Sequence, residues 1–421
     1  MRSESIHKID WHNGTWQNSP VGKAQIEIAF CSDWAPIRGF EQIILDEPLS
    51  VYGDLLPALQ QVDLRVVNLE CPLCDVGAPA FKSGAVFKGK AAHIAGLTHV
   101  PFDIVTLANN HVFDYGERGF QKTRVLLDQN HIQYLGAGNN RDEAENPLTI
   151  TTNGIRLGLI NFSEGEDLTA ATETPGVFGW HVDRVVSLVQ ALKKEVHAVV
   201  VICHAGVEYI PYPPPYVTTA FQRIVEAGVS LIIGHHPHVP QGIQIHHQVP
   251  ICYSLGNFVF YQPVDLLWRK LAYFVKAGFN ENGITHIRLV PYEILNRNLR
   301  LLKHEKHHWF LRKLKNLSLP FADYTQIQSA WHGFLRYYGM DGFQNEIKTI
   351  MDNLHHEPAK GAAMFRNRLT TMQHNQHLAD TMSRIIDGSI DTAPQWAFDR
   401  VREWMTRQIS DYDSVISEPH A

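Results

Sequence analysis

The sequence predicts a layered α/β fold followed by a helical C-terminal region, and three observations predict it. Apolar runs of strand length alternate with segments of helical period through about residue 260, the pattern of strands and helices stacked in layers. With 44% hydrophobic and 19% charged residues over 421 positions, the chain is globular and long enough for one large domain and an appendage. Beyond Asn296 the composition shifts, and residues 296–315 hold seven lysines and arginines against one glutamate.

Strands are expected at 25–31, 64–68, 103–107, 132–135, 198–203, 231–233 and 251–254, each a short apolar run rich in branched residues. Segments 148–150 and 156–160 read as a hairpin across Asn153-Gly154, the dipeptide that suits a tight turn. A second hairpin pairs 271–279 with 284–290 around Asn280-Glu281-Asn282-Gly283. Helices fit 119–129, 183–195 and 218–227. In the middle one Val185, Val186, Leu188, Val189 and Leu192 form one apolar face suited to packing on a sheet. The expected organisation is an N-terminal extension over 1–24, the α/β domain over 25–295 and the helical region over 296–421. There, 344–354 and 396–409 have helical spacing, and the basic stretch with Trp309 and Phe310 offers a solvated face or a docking surface for a partner or lipid headgroups.

Composition narrows the function. A formal net charge of -6 gives no case for nucleic-acid binding. Residues 1–20 are polar and acidic where an export signal would be apolar, and no run reaches the ~18 to 20 apolar residues of a membrane span, so a cytoplasmic protein is expected. Five cysteines, an odd number, suit a reducing compartment. Gly84 to Ala91 contains the glycine and lysine spacing of a phosphate loop but lacks its Ser or Thr and a leading strand. No G-x-S-x-G elbow is present either.

The chemistry lies in polar clusters that each follow a predicted strand: Ser32-Asp33, Asn68-Leu69-Glu70, Asn109-Asn110-His111, His204-Ala205-Gly206 and Gly234-His235-His236-Pro237-His238. Ligands of α/β folds bind at the carboxyl ends of the strands, so these clusters are expected to converge. In the last, His236 and His238 flank Pro237 and can aim at neighbouring coordination positions, with His235 beside them. A mixed set of oxygen and imidazole donors suits one or two divalent ions such as Mn, Zn or Fe better than calcium.

The order of these clusters resembles the CapA family of capsule-synthesis and poly-γ-glutamate biosynthesis proteins, a branch of the calcineurin-like metallophosphoesterases. The resemblance rests on Val67 to Glu70, Leu107 to His111 with Asp114-Tyr115-Gly116, Gly136-Ala137-Gly138, His204 to Tyr209, Gly234 to His238 and Tyr253 to Phe258. It implies a four-layer metallophosphoesterase-like sandwich, two mixed β-sheets flanked by helices, with metal at its edge. It also implies Asp33, Glu70, Asn110, His204, His236 and His238 as metal ligands, with Asn68 the alternative to Glu70. His111 would be the catalytic group, stabilising charge or protonating the leaving oxygen.

Two departures bear on metal number. Asp33-Trp34-Ala35 lacks the imidazole of the usual Asp-x-His, and Glu70 is one methylene longer than a bridging Asp. Asn68, Asn109, Glu208, Tyr209, His235 and Asn257 are candidates for orienting ligands or touching substrate, and Tyr253 is a further donor or a core residue. Lys82 or Lys88 would meet an anionic substrate, and Cys71 is a soft donor or a small buried residue. The expected function is a metal-dependent phosphoesterase-like hydrolase acting on an anionic small molecule or polymer. The alternative is a non-catalytic, metal-containing binding or assembly factor.

Overall fold

The computed structural model describes residues 8–164 and 172–416. Residues 1–7 of the expected N-terminal extension and 417–421 of the helical region therefore lie outside the described residues.

Two mixed sheets stack face to face. In the first, Ile26–Trp34, Leu64–Leu69, Ile104–Thr106 and Gln133–Leu135 run parallel, and Leu271–Asn280 and Gly283–Ile294 continue it antiparallel on the other side of Ile26–Trp34. In the second, Ile155–Ser163, Ala198–His204, Leu231–His235 and Val249–Cys252 run parallel, edged by antiparallel Leu148–Thr152 and Ile243–His246. The hairpin expected at Asn153-Gly154 joins the first two of that sheet in chain order, and both turn residues have positive φ, 48° and 81°, as a tight hairpin turn requires.

Strand pleating divides the core. Ile28 and Phe30 of the first sheet face Leu157, Leu159, Val200, Ile202, Leu231 and Ile233 of the second. The alternate residues Ala29 and Cys31 face outward onto a cluster with Phe40, Ile44 and Leu55. On the far side Val199, Val201 and Ile232 pack against Val185, Val189, Phe221 and Ile224 of the helices Val182–Leu192 and Pro215–Ala227. The result is four layers, helix, sheet, sheet and helix, each sheet buried on both faces.

The C-terminal region is helical: His304–Ser318, Tyr324–His356, Pro358–Thr370, Met372–Ile386 and Gln395–Thr406. The long helix kinks at Gly339, whose φ is 52°. The aromatics of the basic stretch differ from expectation. Trp309 and Phe310 are 0% and 1% exposed, inside the main core, so neither can meet a partner or a lipid surface. Trp309 stacks on Trp268, and Trp268 on Trp404, with ring centroids 5.4 and 3.6 Å apart. The amphipathic period of His304–Ser318 turns its apolar stripe inward and leaves Arg312 and Lys315 in solvent. Among the described residues, no helix is long and apolar enough to cross a membrane.

Candidate metal centre

The strand-end clusters converge. Parallel pairing places the carboxyl ends of Ile26–Trp34 and Leu64–Leu69 side by side, with Asp33 in register with Asn68. In the second sheet His204 is in register with His235, so their side chains leave the same face. Tight approach fixes the turn that follows: a Cβ on Gly234 would lie 2.0 Å from the carbonyl oxygen of Tyr253. Past it His236 and His238 have φ of 99° and 56°, and Tyr209, whose N–H donates to the Pro237 carbonyl at 2.7 Å, has φ of 70°. Such left-handed conformations cost side-chain-bearing residues about 1–3 kcal/mol each and gather at functional sites.

Within the cluster, His204 Nε2 lies 3.3 Å from Glu70 Oε1, 3.1 Å from His236 Nδ1 and 3.0 Å from Asn110 Oδ1. His238 Nε2 lies 3.6 Å from Glu70 Oε1, and its Nδ1 lies 3.4 Å from Asp33 Oδ2. The His238 Nδ1–H donates to Asn257 Oδ1 at 2.7 Å, which aims Nε2 toward Glu70. Two adjacent groups of donors result, Asp33 with His204 and His235, and Glu70 with His236 and His238.

Asn68 and Glu70 are distinguished by their partners. The Asn68 amide donates to Asp33 Oδ1 at 2.8 Å while its oxygen accepts from Thr106 and Asn109. Both oxygens of Glu70, Asp33 Oδ2 and both ring nitrogens of His235 are buried without a hydrogen-bond partner. Buried polar atoms left this way are costly, and a divalent cation would offset the carboxylate oxygens and take up one nitrogen of His235. The donor set of carboxylates and imidazoles fits such an ion.

Electrostatics agree. Burial pushes His204 well below the ordinary histidine range, and the neighbouring His236, His235 and His238 push it further, so the ring is held in the neutral, ligating form. Burial and the Asp33 carboxylate raise Glu70 well above its usual range. Burial would raise Asp33, but the adjacent imidazoles of His238 and His235, with the Asn68 amide, hold it below the usual aspartate range. His238 rises to about 10, the attraction of Glu70 and Asp33 overcoming burial. Two buried carboxylates cannot both ionise cheaply without a cation.

The remaining candidates surround this core. Asn109 is fully buried and organises its turn, accepting from the N–H groups of His111 and Val112 at 3.0 and 2.9 Å and donating to Leu69 O. His111 Nδ1 lies 2.6 Å from Asp114 Oδ2, and Asp114 also takes a 3.0 Å ion pair from Lys82. Burial alone would raise Asp114, but His111 and Lys82 hold it below the usual aspartate range. Lys82, expected at the surface or on substrate, is thus turned inward, and Lys88 sits over the Tyr115 ring at 4.5 Å. Tyr253 is core, stacked between Phe221 and Phe321, and the buried Cys71 thiol is pushed well up by burial.

A cavity of about 290 Å³ opens beside the cluster, lined by Arg38, His111, Glu208, Tyr209, His238 and Arg269 among others. The Arg269 guanidinium stacks 3.5 Å above the Tyr209 ring. Burial disfavours a charged Glu208, yet His238, His236 and His111 hold its carboxyl below the glutamate range. Sequence reasoning missed both arginines, which belong to no strand-end cluster. It also read His235 as a neighbour, whereas its register with His204 carries its ring in among the donors.

Residues 27–262 match the family model described as "Bacterial capsule synthesis protein PGA_cap". Over 255 residues the chain is 32% identical to "Capsule biosynthesis protein CapA" of Bacillus anthracis, covering 58% of this chain and 61% of that one. Over 203 residues it is 30% identical to "PGA biosynthesis protein CapA" of Bacillus subtilis, covering 47% and 52%. The chain thus spans between half and two thirds of the length of these two relatives. The crystal structure of the calcineurin-like phosphoesterase YfkN from Bacillus subtilis superposes weakly, with a TM-score of 0.37, 12% identity and coverage of 73% of this chain and 99% of that one.

Proposed function

The chain belongs to the bacterial capsule synthesis PGA_cap family, and on that premise we propose that it is a metal-dependent phosphoesterase-like hydrolase of the CapA type. Its substrate is an anionic small molecule or polymer connected with poly-γ-glutamate or capsule polymer synthesis. The observation that carries the reading is the group of five partnerless buried atoms on Asp33, Glu70 and His235.

Asp33, Glu70, Asn110, His204, His236 and His238, joined by His235, would hold one or two divalent ions. A bound ion supplies Lewis acidity toward a substrate oxygen and lowers the pKa of a nearby water. The chain's own groups do the rest. Arg38 and Arg269 border the cavity and attract an anion. Phe87, 4.5 Å from the His111 ring, shields that imidazole from water. With its Nδ1 proton directed to Asp114, His111 gives its Nε2 proton to a leaving oxygen, and the ionised Asp114 stabilises the imidazolium that makes this transfer.

Elemental analysis of the purified protein, together with turnover of phosphomonoesters and phosphodiesters by wild type and His236→Ala, tests the proposal. It expects stoichiometric transition metal and hydrolysis in wild type and loss of both in the variant. An intact protein without stoichiometric metal refutes it, and metal without turnover assigns the chain to non-catalytic binding or assembly.

A further inference from the structure

The C-terminal helices lie beyond the residues that match the family, yet one of their side chains reaches the centre. Gln373, the second residue of Met372–Ile386, is 4% exposed. Its Oε1 lies 2.9 Å from His236 Nε2, and its Nε2 lies 3.4 Å from His374 Nε2. The opposite nitrogen of the same ring, His236 Nδ1, faces His204 Nε2 at 3.1 Å.

We propose that Gln373 is a positioning residue for the metal centre: accepting the Nε2 proton of His236, it fixes the tautomer that leaves Nδ1 free to bind the ion. A ligating imidazole needs one nitrogen deprotonated and aimed, and a partner on the other nitrogen does both. The His236 backbone has a φ of 99°, outside the conformations that hold a histidine in place at no cost. The sequence separation of 137 positions between His236 and Gln373 makes the contact a tertiary one, formed only when the helices are docked.

A second tether holds the docked position. Lys360 Nζ, on Pro358–Thr370, donates to the carbonyl oxygens of Lys82, Ser83 and Gly84 at 3.0, 2.7 and 2.9 Å. The same segment carries the Lys82 ion pair to Asp114. The helical region therefore grips both the candidate ligand His236 and the loop that supports His111.

The inference rests on the metal-centre reading, and the test separates the two. Zn²⁺ affinity is measured by competition with a chromophoric chelator for wild type, Gln373→Leu and Gln373→Glu. The Co²⁺ absorption spectrum of each is recorded alongside. Gln373→Leu is expected to weaken binding about 10–100-fold, the usual cost of losing a partner behind a ligand, and to shift the Co²⁺ bands. Gln373→Glu, which keeps an acceptor toward His236, is expected to restore both. Gln373→Asn draws the oxygen back without emptying the site and gives the same loss should the leucine variant fold poorly. Wild-type affinity and an unchanged spectrum in folded Gln373→Leu or Gln373→Asn overturn the inference and leave the metal centre standing. A wild type that binds neither ion overturns both.

Discussion

Glu70→Gln separates what the centre does for stability from what it does for metal. Both oxygens of Glu70 are buried without partners, and burial with Asp33 raises the carboxyl well above 4.5. A raised folded value means that the folded protein holds a proton the unfolded chain has released. Stability linked to Glu70 is therefore full below pH 4.5 and drains away as pH rises through the folded value, at about 1.4 kcal/mol per pH unit. Glutamine carries no such proton. In chelator, urea denaturation should show Glu70→Gln gaining on wild type by about 1.4 kcal/mol for each unit above pH 4.5 while Glu70 stays protonated. Groups that do not face Glu70 cancel in the difference, and His238, which the Glu70 charge raises, adds to it only where Glu70 is ionised. Metal opposes that gain. Zn²⁺ at a hundred times its Kd stabilises wild type by about 2.7 kcal/mol, and the variant, lacking a carboxylate donor, responds only at higher concentration. Parallel apo stabilities across pH, together with equal metal affinity, would refute the assignment of Glu70 to the centre.

Trp404→Ala removes the ring stacked 3.6 Å from Trp268 and should cost about 3–5 kcal/mol, read as a shift of one cooperative denaturation curve. A separate early transition of the helices would contradict their integration. Asp114→Asn removes the carboxylate 2.6 Å from His111. Turnover should drop by about 10²-fold or more, with the pH–rate limb assigned to His111 moving to lower pH, and an unmoved profile would exclude the pair from catalysis. Arg269→Met takes a partly exposed guanidinium from the cavity, and KM for a dianionic phosphoester should rise about tenfold, the lower end for a charge-assisted hydrogen bond; an unchanged KM would place the substrate elsewhere.

The parts of this architecture legible in the sequence are those written in local pattern. Alternation along 25–31 already separates Ile28 and Phe30 from Ala29 and Cys31, and polar residues at the ends of apolar runs mark where the parallel strands open. Other features depend on distant partners. The place of His235 follows from its pairing with His204, a register that neither segment states alone. Lys82 reads as a surface lysine until Asp114, 32 residues on, is brought beside it. Trp309 sits among basic residues, and only the depth of the Trp268 and Trp404 stack shows that its helix turns inward. Gln373 has no cluster, spacing or strand end to announce it.

Folding by itself does not call for this cluster. Left-handed backbone at Tyr209, His236 and His238 costs about 1–3 kcal/mol at each position, and the partnerless atoms of Asp33, Glu70 and His235 add desolvation costs of similar size. Together these rival the ~5–15 kcal/mol of net stability that a typical domain possesses. Glycine at the left-handed positions, or apolar side chains at the buried polar ones, would remove these costs, so the arrangement makes physical sense as a receptor whose cost is offset when a cation arrives. The same reasoning explains why the helical region matters to the centre. An imidazole on strained backbone is aimed better when something outside its own turn holds it, and Gln373 makes such a contact with the outer nitrogen of His236.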